Sequence, residues 1–183
     1  HLKSLPSPEA TPQRIEVLLV VAQYYYLAAK PSVALEAATE AEALARRANH
    51  RKLMRWSLSL LGVMQSETGN LPGATASLSE ALEIAQELQD KTAEGRAWVN
   101  LGVSLIAAAQ YSDSISSFER AIALSGSDAA GAQMRRNALT NIGLCALHLG
   151  DVRTGLRALN AEFHDAGEPQ TAADATARAS AES

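Results

Sequence analysis

Apolar and polar residues alternate along this chain at the three/four spacing of helices, and the helical stretches come in pairs separated by short breaks. Residues 1–12, HLKSLPSPEATP, hold three prolines and read as a linker or an N-terminal extension. From Gln13 a helix runs apolar nearly all round, with Pro31 expected to stop it. A second helix spans about Ser32 to Ala48, its Val33, Ala34, Ala37, Ala38, Ala41 and Leu44 on one face. Asn49 and His50 mark a soft boundary before a third helix that ends at Gly69-Asn70. Pro72 sits in the first turn of the next, where its missing N–H costs nothing. Asp90 introduces a helix to Ala109, Tyr111-Ser112-Asp113 introduces another to Leu124, and Ser127-Asp128 opens one closed by Gly150-Asp151. Residues 152–163, VRTGLRALNAEF, follow.

This alternation is periodic. Gly62 to Gly102 is 40 residues, Gly102 to Gly143 is 41, and 40 before Gly62 stands Ala22, also small. Seven residues after each comes a break, at Ala29, Gly69, Ala109 and Gly150. Five further stand Ala34, Ala74, Ser114 and Gly155, and four beyond those Ala38, Leu78, Phe118 and Leu159. Four helix–turn–helix repeats are therefore expected, at about 14–50, 52–90, 93–126 and 130–165.

Trp98, Leu101 and Gly102 spell W-x2-L-G, and Ser114 and Phe118 give small-x3-aromatic with Ala121 three residues on. On these residues the chain resembles the tetratricopeptide repeat (TPR) family, in which small side chains let two antiparallel helices approach closely. The 40-residue period departs from the common 34 and resembles the longer variety found in bacterial signalling and adapter proteins. The likeness covers roughly residues 14–165 and implies an all-α, right-handed superhelical solenoid. Adding 41 to Asn137 gives Arg178, so residues 166–183 are expected to form a capping helix or the start of a fifth repeat. The chain opens on His1 rather than Met, which reads as a piece of a longer protein.

Composition narrows the function. Hydrophobic residues make up 47% but aromatics only 4%, so the core is built from Ala and Leu, both strong helix formers. A net charge of −4 argues against nucleic acid as the partner, and the basic residues stand near helix ends, where they complement the helix dipole. No run of ~20 apolar residues is present to span a membrane. Cys145 is alone, so no disulfide framework and no thiol metal site are expected, and a reducing, cytoplasmic setting is compatible. Cys145 and His148 stand three apart on one helix, but no third group is in place to orient them, and no His/Cys spacing suits a metal. An enzyme is not expected, nor a cofactor.

What remains is the groove. In a tetratricopeptide stack the first helix of each repeat lines a concave surface, and carrying that geometry over selects Trp56, Arg96, Asn100, Val103, Asn137, Asn141, Leu144 and His148, with Arg178 in the tail. Asparagine can bond both N–H and C=O of an extended backbone, and arginine grips carboxylates with two prongs. A protein or peptide partner carrying acidic residues is the expectation. The alternatives are a regulatory segment of a larger bacterial signalling protein, as before a cyclic-dinucleotide synthase or transcription regulator, and a self-associating scaffold, including a homodimer.

Overall fold

Left-handed backbone conformations recur every 20 residues: Ala29 (φ 54°), Asn49 (φ 49°), Gly69 (φ 82°), Gln89 (φ 55°) and Ala109 (φ 57°). Each reverses the chain after a helix. At the first, the Ala29 N–H donates to Tyr26 O and the Lys30 N–H to Tyr25 O, closing the orphaned last turn. The same bonds recur at Asn49–His50, Gly69–Asn70, Gln89–Asp90 and Ala109–Gln110. Helices of one length joined by one kind of turn are what a 40-residue period requires.

The computed structural model describes residues 11–165, all helix and short connections. The helices are α1 (Pro12–Leu27), α2 (Pro31–Arg47), α3 (Arg51–Glu67), α4 (Leu71–Glu87), α5 (Lys91–Ala107), α6 (Tyr111–Leu124), α7 (Ala129–His148) and α8 (Val152–Asp165). Thr11 caps α1 by accepting from the Arg14 N–H, and Pro12 is its first residue, so the extension ends earlier than the prolines indicate. Pro31 does not stop α1. The turn at Ala29 does that, and Pro31 opens α2 as its first residue. The expected capping helix and its Arg178 lie outside the described residues.

Two compact units divide the chain, His1–Ala93 and Glu94–Ser183. In the first, α2 packs on α1 and α3, and α4 on α3. Its core joins Ile15, Leu18 and Leu19 to Leu44, Leu58 and Ile84, and a second cluster joins Ala22 to Ala34, Ala37, Ala38 and Met64. Arg46 on α2 bridges Glu42 and, at 2.9 Å, Glu80 on α4; Arg51 pairs with Glu87. In the second unit, Phe118 is fully buried among Ala138, Ile142 and Ala158. Here the periodic turn fails once. Ser125 leaves α6 in an extended conformation, and Asp128 caps α7 through the Gly131 N–H. The Arg135 guanidinium donates to Gly126 O at 2.7 Å and holds the loop down. A Cβ at residue 131 would collide with the Gly126 carbonyl, so glycine alone fits there. The outcome is a helix α7 of 20 residues against 17 for α5.

Candidate functional site

The extra turn of α7 forms one side of a cleft of about 340 Å³ in the second unit. Arg96, Val99 and Asn100 of α5 line one wall, and Ala130, Gln133, Met134 and Asn137 of α7 line the other. Gly95 lets the helices close at one end, since a side chain there would meet the Met134 sulfur at 2.9 Å. Three of the residues selected from the sequence, Arg96, Asn100 and Asn137, are thus brought to one place.

Their bonding decides what they offer. Arg96 is exposed and Asn100 half-buried, and neither side chain hydrogen-bonds another described residue. Asn137 Oδ1 accepts from Gln133 Nε2 at 2.8 Å, and Gln133 Oε1 accepts from Arg136 Nη2 at 2.9 Å. Asn141 Nδ2 donates back to the Asn137 carbonyl at 2.7 Å. Among the described residues the asparagines of α7 therefore bond along their own helix and not to a neighbouring one. With its oxygen occupied, Asn137 has an NH2 to give. The cleft presents a guanidinium, two amides and the apolar surfaces of Val99 and Met134: donors for carboxylate or carbonyl oxygens beside a place for a side chain.

Val103 (47% exposed), one turn past Asn100, and Leu144 (49%), two turns past Asn137, extend the same faces with apolar surface. His148 is exposed and its ring stacks flat on Tyr111 of α6, centroids 4.6 Å apart and 2° from parallel. Cys145 is fully buried, with its thiol 3.5 Å from the Ser114 hydroxyl, so the two residues face different surroundings and form no pair. Trp56 lies in the first unit, half-buried against the core of Ile15 and Leu58. Gln133 and Met134 were missed by counting from the repeat, because α7 begins a turn early. Gln133 stands four residues before Asn137, as Asn137 stands four before Asn141, and that spacing was the available signal.

Among the described residues no group of three or more His, Cys, Asp or Glu could hold a metal, and no helix is long and apolar enough to cross a membrane.

Compared with known proteins, the chain matches no family model and no curated protein by sequence. Solved structures do match it. BtubC (BKLC) from P. vanneervenii superposes with a TM-score of 0.78 at 16% identity, covering 92% of this chain and 70% of that one. A Rap protein, solved in complex with competence and sporulation factor, gives 0.77 at 17%, over 91% of this chain and 45% of its own. The TPR domain of Arabidopsis FLU gives 0.58 at 24%, over 62% and 95%. The fold is that of tetratricopeptide-like repeat proteins. The chain spans less than half the length of the Rap protein it matches.

Proposed function

We propose that this chain is a protein-interaction module that holds an extended segment of a partner between α5 and α7, with an acidic group on Arg96. The observation that carries this reading is that Arg96 and Asn100, whose side chains bond no other described residue, face one cleft with Asn137. Groups able to bond a peptide, gathered in one concavity, are what a recognition site needs before its ligand arrives. The structural likeness to a Rap protein solved in complex with competence and sporulation factor agrees with such work. The test is selection of displayed peptides on the whole chain. Enrichment of acidic peptides whose binding falls on Arg96→Ala and Asn100→Ala is the expected result. Peptides that bind both variants as well as the unaltered protein would move the function elsewhere.

A second reading has one supporting observation. Because the chain covers 45% of the Rap protein and 42% of aspartyl phosphate phosphatase F from Bacillus subtilis, it also fits as the repeat segment of a larger signalling protein. In that setting the cleft receives another part of the same protein.

A further inference from the structure

Past the cleft, α5 and α7 change character at one level. Val103 stands seven residues after Arg96 on α5, and Leu144 seven after Asn137 on α7. Arg96 and Asn137 are equivalent positions of successive repeats (137 minus 96 is 41), and so are Val103 and Leu144. Both apolar side chains are nearly half exposed, at 47% and 49%. The core does not claim them, because the residues on either side, Gly102 and Ser104, Gly143 and Cys145, are the buried ones. Nor does the end of the described chain account for the exposure. Val103 lies on α5, which α7 follows, and it is as open as Leu144. Val99 and Met134 in the cleft walls are half-buried, so the larger open apolar surface is at Val103 and Leu144. Each helix thus shows a polar group and, two turns on, an aliphatic one.

That spacing sets the register of a ligand. Seven residues of helix advance about 10.5 Å. An extended segment advances about 3.3 Å per residue, so about three residues cover the distance. In a pleated strand, residues three apart point to opposite sides, which carries an acid on Arg96 of α5 across to Leu144 of α7. In a polyproline-type strand every third residue returns to one side, which carries it to Val103. Both conformations give three. Resting on the reading that the cleft holds an extended acidic segment, we propose that this segment carries a large aliphatic residue three positions from its acidic one, seated on Val103 and Leu144. Asn100 stands between the two ends, four residues after Arg96, and its amide bonds no other described residue, so it is placed for the backbone in between. Asn141 occupies the same level on α7, but its Nδ2 is given to the Asn137 carbonyl. A helical segment advances about 1.5 Å per residue and would need a spacing of about seven.

Peptides of alanine and serine with one glutamate and one leucine test this, the two separated by one to seven positions in either order. Binding to the full chain is followed by NMR titration up to millimolar peptide, so that weak binding is read as well. Affinity should peak at a separation of three, about tenfold above the same peptide with alanine for leucine, the lower end for burying a leucine side chain. Val103→Ser and Leu144→Ser should each remove much of that gain and leave the glutamate-only peptide bound as before. Either variant suffices where the other's melting curve shows a lost fold. Arg96→Ala should weaken every peptide. Affinity that depends on Arg96 but is equal at all separations overturns the inference and leaves the cleft's hold on an acidic segment intact. A peak at seven overturns it in favour of a helical ligand. Peptides that bind regardless of Arg96, or no binding at millimolar concentration, overturn the reading of the cleft and the inference with it.

Discussion

Gly102 lies beneath the ring of Phe118, so close that a methyl group on its Cα would stand 2.8 Å from Cζ. The Ser114 hydroxyl then donates to the Gly102 carbonyl at 2.8 Å, fastening α6 to α5 across the same crossing. The pair repeats as Gly62 with Leu78 (2.6 Å) and Gly143 with Leu159 (2.8 Å), each partner 16 residues on. A glycine under a large side chain is how each helix pair closes.

Substitution at Gly102 should therefore be costly in proportion to size. Gly102→Leu overpacks the crossing and should lose about 1–3 kcal/mol or more. Gly102→Ala should lose less, and Phe118→Leu should recover part of that loss, because the flexible Leu is what stands over Gly62 and Gly143. Urea unfolding of the single and double variants measures the coupling. Additive effects would mean that the two positions do not share the crossing.

The turns allow an opposite experiment. Ala109 holds φ 57°, where a Cβ crowds the following carbonyl, and it is exposed. Ala109→Gly should stabilise by up to about 1 kcal/mol, less what glycine's freedom in the unfolded chain takes back. Gly69→Ala should destabilise although nothing lies within 4 Å of the new methyl, since the strain is in the backbone (φ 82°). Thermal melts of the two variants should shift in opposite directions.

Those turns also mark how far the sequence could be read. Gly62, Gly102 and Gly143 with their partners at fixed offsets were legible, because a close helix crossing admits few residue types. Ala29, Gly69, Ala109 and Gly150 were legible as breaks for the same periodic reason, and all four hold positive φ. Asn49 and Gln89 make the same turn between repeats; Asn49 gave a soft signal as a residue that tolerates the left-handed conformation, whereas Gln89 gave none, and there the hydrogen bonds around the turn hold the conformation. The cleft was half legible. Arg96, Asn100 and Asn137 followed from the register, whereas Gln133 and Met134 depend on α7 starting early, which is set by the contact of Gly126 with Gly131 and no periodicity announces.

In the first unit, Tyr26 of α1 donates its phenol proton to Glu67 of α3 at 2.6 Å. That hydrogen bond, with burial and the carboxylate's charge behind it, pushes the phenol up to about 12 from 10.0. A proton held more tightly in the folded state stabilises it below pH 10, and that contribution is lost as pH rises toward 12. In an alkaline titration followed by tyrosine absorbance, one ionisation should fall near pH 12 and disappear in Tyr26→Phe. In Glu67→Gln it should return toward 10. The stability gap between the unaltered protein and Tyr26→Phe should narrow over the same range, and a gap independent of pH would show that the bond does not hold the two helices.

The cleft separates into residues that should matter for binding and one that should not. Arg96 and Asn100 have no bond to lose within the described residues, so their replacement by alanine should leave the melting temperature nearly unchanged, within about 0.5 kcal/mol. Each charge-assisted bond from Arg96 to an acidic peptide is worth roughly 1.5–3 kcal/mol, so Arg96→Ala should weaken binding about 10- to 150-fold. Arg96→Lys keeps the charge but not the fork, and should recover only part of that loss. Asn141 already donates to the Asn137 carbonyl on its own helix, and Asn141→Ala should leave affinity close to that of the unaltered protein. Isothermal titration of a selected acidic peptide against the unaltered protein and these three variants gives the order: unaltered and Asn141→Ala together, Arg96→Lys weaker, Arg96→Ala weakest. An Asn141→Ala loss as large as that of Arg96→Ala would show that the ligand lies further along α7, over Leu144 and His148, and not between Arg96 and Asn137.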